Sequence, residues 1–250
     1  MSLQIIMTDD GSNSIATDKG LSYHSTLGAL QESRHIFINA GLVPVLSRGA
    51  GPVAVYEMGF GTGLNALLTL IEAAGRPVYY EAVETVPLGM EIVEGLNYCE
   101  RLEAGGREAG RLEAARLGMP GLGAPGVGAW GPGSGLQPVF ERLHSAPWGE
   151  EAGIVPGFTL MKVLADGAGY RPQREADVVY YDAFDPTVQP ELWRGDILRR
   201  VYGAMRPGGV LVTYCCKGVV RRTMEAVGFV IEKLPGPPGK REILRARKPG

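Results

Sequence analysis

A glycine-rich turn, Glu57-x-Gly59-x-Gly61-x-Gly63, follows the short apolar run Val53–Met58. It precedes a stretch in which Leu67, Leu68, Leu70 and Ile71 recur at helical spacing. A strand, a turn of alternate glycines and a helix, in that order, make the opening unit of a parallel α/β sheet. Glycine allows torsions closed to other residues and lets the backbone pass close to a ligand. The helix that begins there presents unpaired N–H groups and the positive end of its dipole. In an open parallel sheet this turn lies at the crevice where ligands bind.

The alternation continues along the chain. Val78–Val83 reads as a second strand ending at Glu84, and Pro87 opens a predicted helix through Leu96, since proline suits a first helical turn. Phe158–Leu164, ending at Asp166-Gly167, and Asp177–Phe184 are the third and fourth strands. A helix over Asp196–Met205, the turn Arg206–Gly209 and a fifth strand, Val210–Cys215, follow. A helix over Val219–Val227 leads to strands at Phe229–Leu234 and Glu242–Arg247. The turn Pro235–Gly239 joins that pair as a hairpin, so the last strand is expected to run antiparallel. Glu100–Ala115 is helical in composition but highly charged, and Gly118–Gly135 carries eight glycines and three prolines. With so little to bury, residues 105–136 are expected to form a surface insertion. The whole, 1–250, reads as a single domain with residues 1–50 as an N-terminal extension packed on it.

Apolar residues make up 45% of the chain, enough for a full core. Three cysteines (Cys99, Cys215 and Cys216) form no CxxC pair, which points away from a structural zinc or disulfide framework. No apolar run approaches the ~20 residues of a membrane span. The start, MSLQIIMTDDGSNS, lacks the features of a secretion signal, so a cytoplasmic location is expected. Net charge is −2, but it is unevenly spread. From Lys217 to Lys248 nine Lys/Arg accompany three Glu, a net of +6, which leaves −8 on the remainder. A basic end on an acidic body is one footprint of a polyanion site and equally a biased solvated surface.

Three acids stand at three successive strand ends: Glu57, Glu84 and Asp166. Beside a glycine turn, such carboxylates suit a nucleoside, gripping ribose hydroxyls at Glu84 and an adenine amine at Asp166. The nicotinamide fingerprint asks for Gly or Ala where this chain has Leu64, which disfavours a dehydrogenase. The E-x-G-x-G-x-G spelling instead resembles the S-adenosylmethionine loop of class I methyltransferases. The expected cofactor contacts are Glu57, Gly59, Phe60, Gly61, Gly63, Asn65, Glu84, Asp166 and Gly167. No metal is expected.

At the fourth strand's end lies Asp182-Ala183-Phe184-Asp185-Pro186. An alkyl amine is mostly protonated at neutral pH, with a pKa of about 10.4 for lysine, and cannot attack a methylsulfonium until its lone pair is free. A carboxylate at Asp182 can orient the amine and favour the charge developing on nitrogen, and Phe184 can pack on a pyrimidine ring. Asp185 reads equally well as a cap.

These blocks, together with Asp10-Gly11-Ser12, Tyr23-His24, Gly28-Ala29, Glu32-Ser33, Pro190–Trp193, Lys217–Arg222 and Leu234–Glu242, resemble the methyltransferase domain of the MnmC family and its stand-alone form, MnmD. The resemblance runs nearly end to end. It implies a doubly wound, Rossmann-like, mostly parallel seven-stranded sheet with an antiparallel last strand. It also implies methylation of 5-aminomethyl-(2-thio)uridine at the tRNA wobble position, with Asp182 as the catalytic carboxylate. The substrate contacts expected with it are Phe184, and Arg221, Arg222, Lys240 and Arg241 toward the tRNA anticodon stem-loop. The bifunctional form adds a flavin-dependent oxidase; this chain, ending at Gly250, is expected to lack that step. Residues 105–136 match nothing in the resemblance.

Tyr23 and His24 have two readings, as a cover over the cofactor or as structural groups. Trp193 reads as core rather than base-stacking, and Cys215-Cys216 as space-filling. Two other functions compete: transfer to a free small amine, which leaves the basic end unused, and a non-catalytic RNA-binding relative, against which the intact acids and glycines argue.

Overall fold

The computed structural model describes residues 2–18, 20–105 and 135–250. All but the ends of the expected insertion at 105–136, and most of the charged stretch Glu100–Ala115, lie outside the described residues; at its far end Leu136 is buried at the start of a helix.

Eight strands form the main sheet: β3 (Val53–Met58), β4 (Val78–Glu84), β5 (Glu151–Val155), β6 (Phe158–Leu164), β7 (Ala176–Tyr181), β8 (Met205–Thr213), β9 (Val230–Pro235) and β10 (Glu242–Arg247). Their order is β5-β6-β4-β3-β7-β8-β10-β9. Strands β6, β4, β3, β7 and β8 pair in parallel. The last strand, β10, runs antiparallel to both β8 and β9, as expected. Seven of these strands are the expected sheet. The eighth, β5, is an antiparallel edge strand joined to β6 by a tight turn at Gly157, and the sequence reading passed over it. Its short, half-exposed run EAGIV carries little apolar signal.

Helices cover both faces. On one face lie α1, which runs continuously through Ala29–Ser33, Arg34–Leu42 and Val43–Leu46 with a π-helical middle, then α2 (Leu64–Ala73) and α5 (Leu136–Ser145). Between α2 and α5 come the single turn α3 (Met90–Val93) and a helical stretch α4 over 98–105. The expected helix from Pro87 through Leu96 is therefore reduced to α3. Gly95 and Asn97 break the pattern there, and Asn97 instead ties this segment to the N-terminus by accepting from Asn13 N–H at 2.7 Å and donating to the Gly11 carbonyl at 2.9 Å. The opposite face carries a short 3₁₀ turn at Pro190–Trp193, α6 (Gly195–Gly203) and α7 (Gly218–Val227). Successive strand residues serve the two cores alternately: Val178 and Tyr180 face α1, while Val179 and Tyr181 face α6 and α7.

The N-terminal segment explains two of the sequence blocks. Strands β1 (Leu3–Met7) and β2 (Asn13–Thr17) form a hairpin. Its tip, Asp10-Gly11-Ser12, caps α1 from outside: Ser12 Oγ accepts the N–H groups of Ala29 and Leu30, each at 3.2 Å, and Asp10 Oδ2 accepts that of Gln31 at 3.0 Å. This satisfies helix donors that have no intrahelical partner. A side chain at Gly28 would put its Cβ 2.5 Å from Asp10 Oδ2, so the cap requires glycine there. The capped helix then carries Glu32 toward the ligand crevice.

Candidate active site

A cavity of about 470 Å³ opens at the carboxyl ends of β3, β4, β6 and β7. From β3 the chain moves outward to β4 and β6, then returns to the other side of β3 at β7. The sheet therefore reverses direction of growth between β3 and β7, which is where open α/β sheets bind ligands. A volume of this size suits a small-molecule cofactor.

The glycine turn forms one wall. Gly59, Gly61 and Gly63 all have positive φ, at 92°, 49° and 70°. A Cβ on Gly59 would approach the Asp182 carbonyl oxygen at 3.4 Å, so this backbone passes close to the end of β7. Gly63 serves a different purpose: its Cβ would lie 2.7 Å from His144 Nε2 on α5. Gly59, Phe60, Gly61 and Asn65 line the cavity, whereas Glu57 and Gly63 stand behind the wall. Beneath the turn, Lys162 is buried with its ammonium 5.3 Å from the Phe60 ring centroid and 4.7 Å from that of Trp148. It donates to the His144 carbonyl near the end of α5 at 2.5 Å, and burial lowers its pKa to about 8.

The strand-end acids occupy the second wall. Glu84 Oε2 accepts the Gly61 N–H at 3.0 Å, while its Oε1 accepts those of Thr85 and Val86 at 2.7 and 2.9 Å. Asp166 Oδ1 accepts the Ala168 N–H at 2.8 Å, and Asp166 and Gly167 both line the cavity. Buried Glu81 holds the far end of that loop, accepting from Tyr170 Oη at 2.6 Å and from the Gln173 N–H at 3.0 Å.

Asp182 faces the glycine turn from the end of β7. The Asn65 side-chain nitrogen donates to Asp182 Oδ2 at 3.1 Å and to Glu57 Oε1 at 2.9 Å. Burial, reinforced by the charge of Glu32, raises the Asp182 pKa to about 7, against the pull of Asn65 and Lys240. Burial also lifts Glu57 well above the usual carboxylate range. Phe184 lines the same cavity, edge-on to Tyr23 at 5.6 Å between centroids. Its backbone is braced by Trp193, whose Nε1–H donates to the Phe184 carbonyl at 2.8 Å; Trp193 is a core residue, as expected. Asp185 accepts from Lys217 at 2.5 Å and from the Thr187 N–H at 2.9 Å.

The N-terminal extension supplies the roof. Leu21 through Ser25 line the cavity, Tyr23 and His24 among them. His24 is buried, which drops its pKa to about 4, and its Nδ1 lies 3.2 Å from Ser14 Oγ. It is therefore neutral at physiological pH. Among the cavity residues that the sequence reading did not assign to the site are Glu32, Gln189 and Tyr214. Glu32 stood in a singled-out block, and only the packing of α1 shows where its carboxylate goes.

The basic segment Lys217–Lys248 does not form one free surface. Six of its nine cations are ion-paired: Lys217 with Asp185, Arg221 with Glu225, Lys233 with Glu242, Lys240 with Glu32, and Arg245 and Arg247 with Glu232. Lys240 lines the cavity itself, with its ammonium 4.2 Å from the Tyr214 ring centroid. Arg222 and Arg241 remain exposed on the surface.

Comparison with known proteins agrees with this geometry. Residues 162–249 match the family described as S-adenosyl-L-methionine-dependent methyltransferase. The bifunctional tRNA 5-methylaminomethyl-2-thiouridine biosynthesis protein MnmC of Aromatoleum aromaticum is 30% identical over 98% of this chain and 35% of its own length. That of Delftia acidovorans is 32% identical over 91% of this chain and 32% of its own length. The chain thus matches the S-adenosyl-L-methionine-dependent methyltransferase family over residues 162–249 and is similar to the MnmC proteins over nearly all of its length. It spans about a third of the length of these relatives. Among solved structures, MnmC2 from Aquifex aeolicus superposes with a TM-score of 0.70 at 21% identity, covering 100% of this chain and 72% of that one. Spermidine synthase from Thermotoga maritima shares the fold at a TM-score of 0.53 and 15% identity, over 99% of this chain and 69% of that one. No helix among the described residues is long and apolar enough to cross a membrane.

Proposed function

We propose that this methyltransferase transfers a methyl group from S-adenosyl-L-methionine to the amine of 5-aminomethyl-(2-thio)uridine at the tRNA wobble position. The product is the methylaminomethyl nucleoside. The observation that carries this reading is Asp182: a cavity carboxylate with a pKa of about 7, facing the glycine turn and followed by Phe184. The names of the relatives point the same way.

The residues suit the cofactor. Gly59 and Gly61 leave backbone surface open, Asn65 Oδ1 has no hydrogen-bond partner among the described residues, and Glu84 and Asp166 offer carboxylates. Glu84 and Asp166 with Gly167 are assigned the nucleoside end of the ligand. Phe60 and Asn65 are assigned the wall, while Glu57 acts indirectly by fixing Asn65. When bound, S-adenosyl-L-methionine supplies an electrophilic methyl on sulfonium.

The chain's own part is to deliver a neutral amine. The substrate's ammonium gives one proton to an Asp182 oxygen, leaving the nitrogen lone pair free and the carboxyl neutral. A carboxyl near pH 7 is matched to that exchange, whereas an ordinary aspartate of about 3.9 holds the proton too weakly. After transfer the secondary amine carries the positive charge, and Asp182 returns its proton to solvent. Phe184 and Tyr23 offer rings for the pyrimidine. Arg222 and Arg241 are assigned tRNA phosphates, and Arg221, already paired, a lesser share.

Nucleoside mass spectrometry of hypomodified tRNA incubated with the protein and S-adenosyl-L-methionine tests this. The expected result is a gain of one methyl on the aminomethyl nucleoside. Unchanged nucleosides beside intact cofactor binding would remove the assignment.

A further inference from the structure

Glu32 and Lys240 come from opposite ends of the chain and meet in the cavity that holds Asp182. Glu32 is 8% exposed and fixed on α1, its Oε2 accepting the Ser25 N–H at 2.7 Å. Its other oxygen, Oε1, takes the Lys240 ammonium at 2.8 Å, and that ammonium also lies over the face of Tyr214 at 4.2 Å. A buried carboxylate beside an aromatic face is the ordinary chemistry of an alkylammonium site, joining charge-assisted hydrogen bonds to a cation–π contact. Glu32 and Tyr214 are rigidly placed, whereas Lys240 reaches them on a four-carbon stem from the Gly-Pro-Pro-Gly-Lys turn between β9 and β10.

We propose that Glu32 and Tyr214 form the subsite that binds the substrate's protonated aminomethyl group, and that the Lys240 ammonium holds this place until the substrate displaces it. The inference rests on the amine-methylation reading above and extends it. Glu32 binds the cation, and Asp182, facing the same space, takes its proton. Displaced Lys240 is then free to meet the acidic backbone of the incoming RNA. A neutral group of the same size, such as a hydroxymethyl, gains nothing from Glu32 and must leave the lysine in place. The subsite therefore selects an amine over an alcohol before chemistry begins.

The test uses the whole chain saturated with S-adenosylhomocysteine and two probes without phosphate, 5-aminomethyluracil and 5-hydroxymethyluracil, titrated by ligand-observed NMR. Wild type is expected to prefer the amine on the order of tenfold or more, the scale of one charge-assisted hydrogen bond. Glu32→Gln, which keeps the shape and the acceptor for Ser25, is expected to lose that preference. Lys240→Met removes the competitor and is expected to increase it. Three outcomes overturn the proposal: no preference in wild type, a preference that survives Glu32→Gln, or a Lys240→Met variant that loses as much as Glu32→Gln. The third marks Lys240 as a fixed tether. Methylation of tRNA by wild type is scored beside the titration. The expected preferences without tRNA methylation leave the amine subsite standing and remove only the wobble-uridine assignment.

Discussion

The side-chain nitrogen of Asn65 donates to Asp182 at 3.1 Å and at the same time to Glu57 at 2.9 Å, so one amide holds two carboxylates apart at the switch point of the sheet. Glu57 is the penultimate residue of β3, Asp182 follows β7, and Asn65 lies in the first turn of α2. The glycine turn between Glu57 and Asn65 thus does two things at once. It clears the backbone for a ligand and brings the helix round so that its second residue reaches both strands.

That bridge can be broken without touching either acid. Asn65→Ala leaves buried Glu57 without its amide donor, and a lost partner of this kind costs about 1–3 kcal/mol. Urea denaturation should show this loss. The Asn65 hydrogen bond lowers the Asp182 pKa, so its removal should raise it. The acid limb of the kcat/KM profile should then move to higher pH. An unmoved limb would mean that Asn65 does not act on Asp182.

Asp182 gives a signed pH dependence for both activity and stability. Its anion is the form that accepts the substrate's proton, so kcat/KM should rise with pH through about 7. The folded-state pKa is raised from 3.8, so the folded protein holds this proton more tightly than the unfolded chain. The stabilisation this provides is complete below about pH 4 and is lost as pH rises through about 7. Asp182→Asn abolishes the charged state, so it should be more stable than wild type at pH 8 and lose that advantage at pH 4. Denaturation at the two pH values checks the sign.

Glu84 is the third test. Its carboxylate accepts the Gly61 N–H, so Glu84→Ala removes both a candidate ribose acceptor and a brace of the glycine turn. Cofactor affinity should fall on the order of 1–3 kcal/mol, read by calorimetry with S-adenosylhomocysteine. Unchanged affinity removes Glu84 from the site.

The sheet was largely legible in the sequence because its central strands are largely apolar runs, and Val53–Met58 and Phe158–Leu164 fall where the pattern puts them. The edge strand Glu151–Val155 and helix Leu136–Ser145 escaped, the first because it is half-exposed and the second because it adjoins the Gly/Pro-rich stretch. Strand-end acids were legible for the same reason as the strands. Glu32 and Tyr214 were not, since no period or spacing says which face of α1 meets the end of β8. The charge count misled in one respect. It gathered Arg221, Arg222, Lys240 and Arg241 into one group, whereas Lys240 turns inward to Glu32 and Arg221 is spent on Glu225.

That division yields the last prediction, on RNA binding. Phosphate contacts release counterions, so each lost contact weakens affinity and reduces the slope of log K against log salt by ~0.9 for a duplex. Arg222 and Arg241 are exposed, whereas Arg221 shares its guanidinium with Glu225 at 2.8 Å. Arg222→Glu with Arg241→Glu should therefore raise the Kd for tRNA and flatten its salt dependence. Arg221→Glu alone should do less, because the wild-type charge is already partly neutralised. S-adenosylhomocysteine affinity should stay the same in both variants, since none of the three arginines lines the cavity. Filter binding from low to moderate salt, run beside calorimetry, separates the outcomes. A double variant with the wild-type slope would move the RNA surface away from α7 and the β9–β10 turn. A loss of cofactor affinity in the same variant would show that these arginines act on the cavity rather than on RNA.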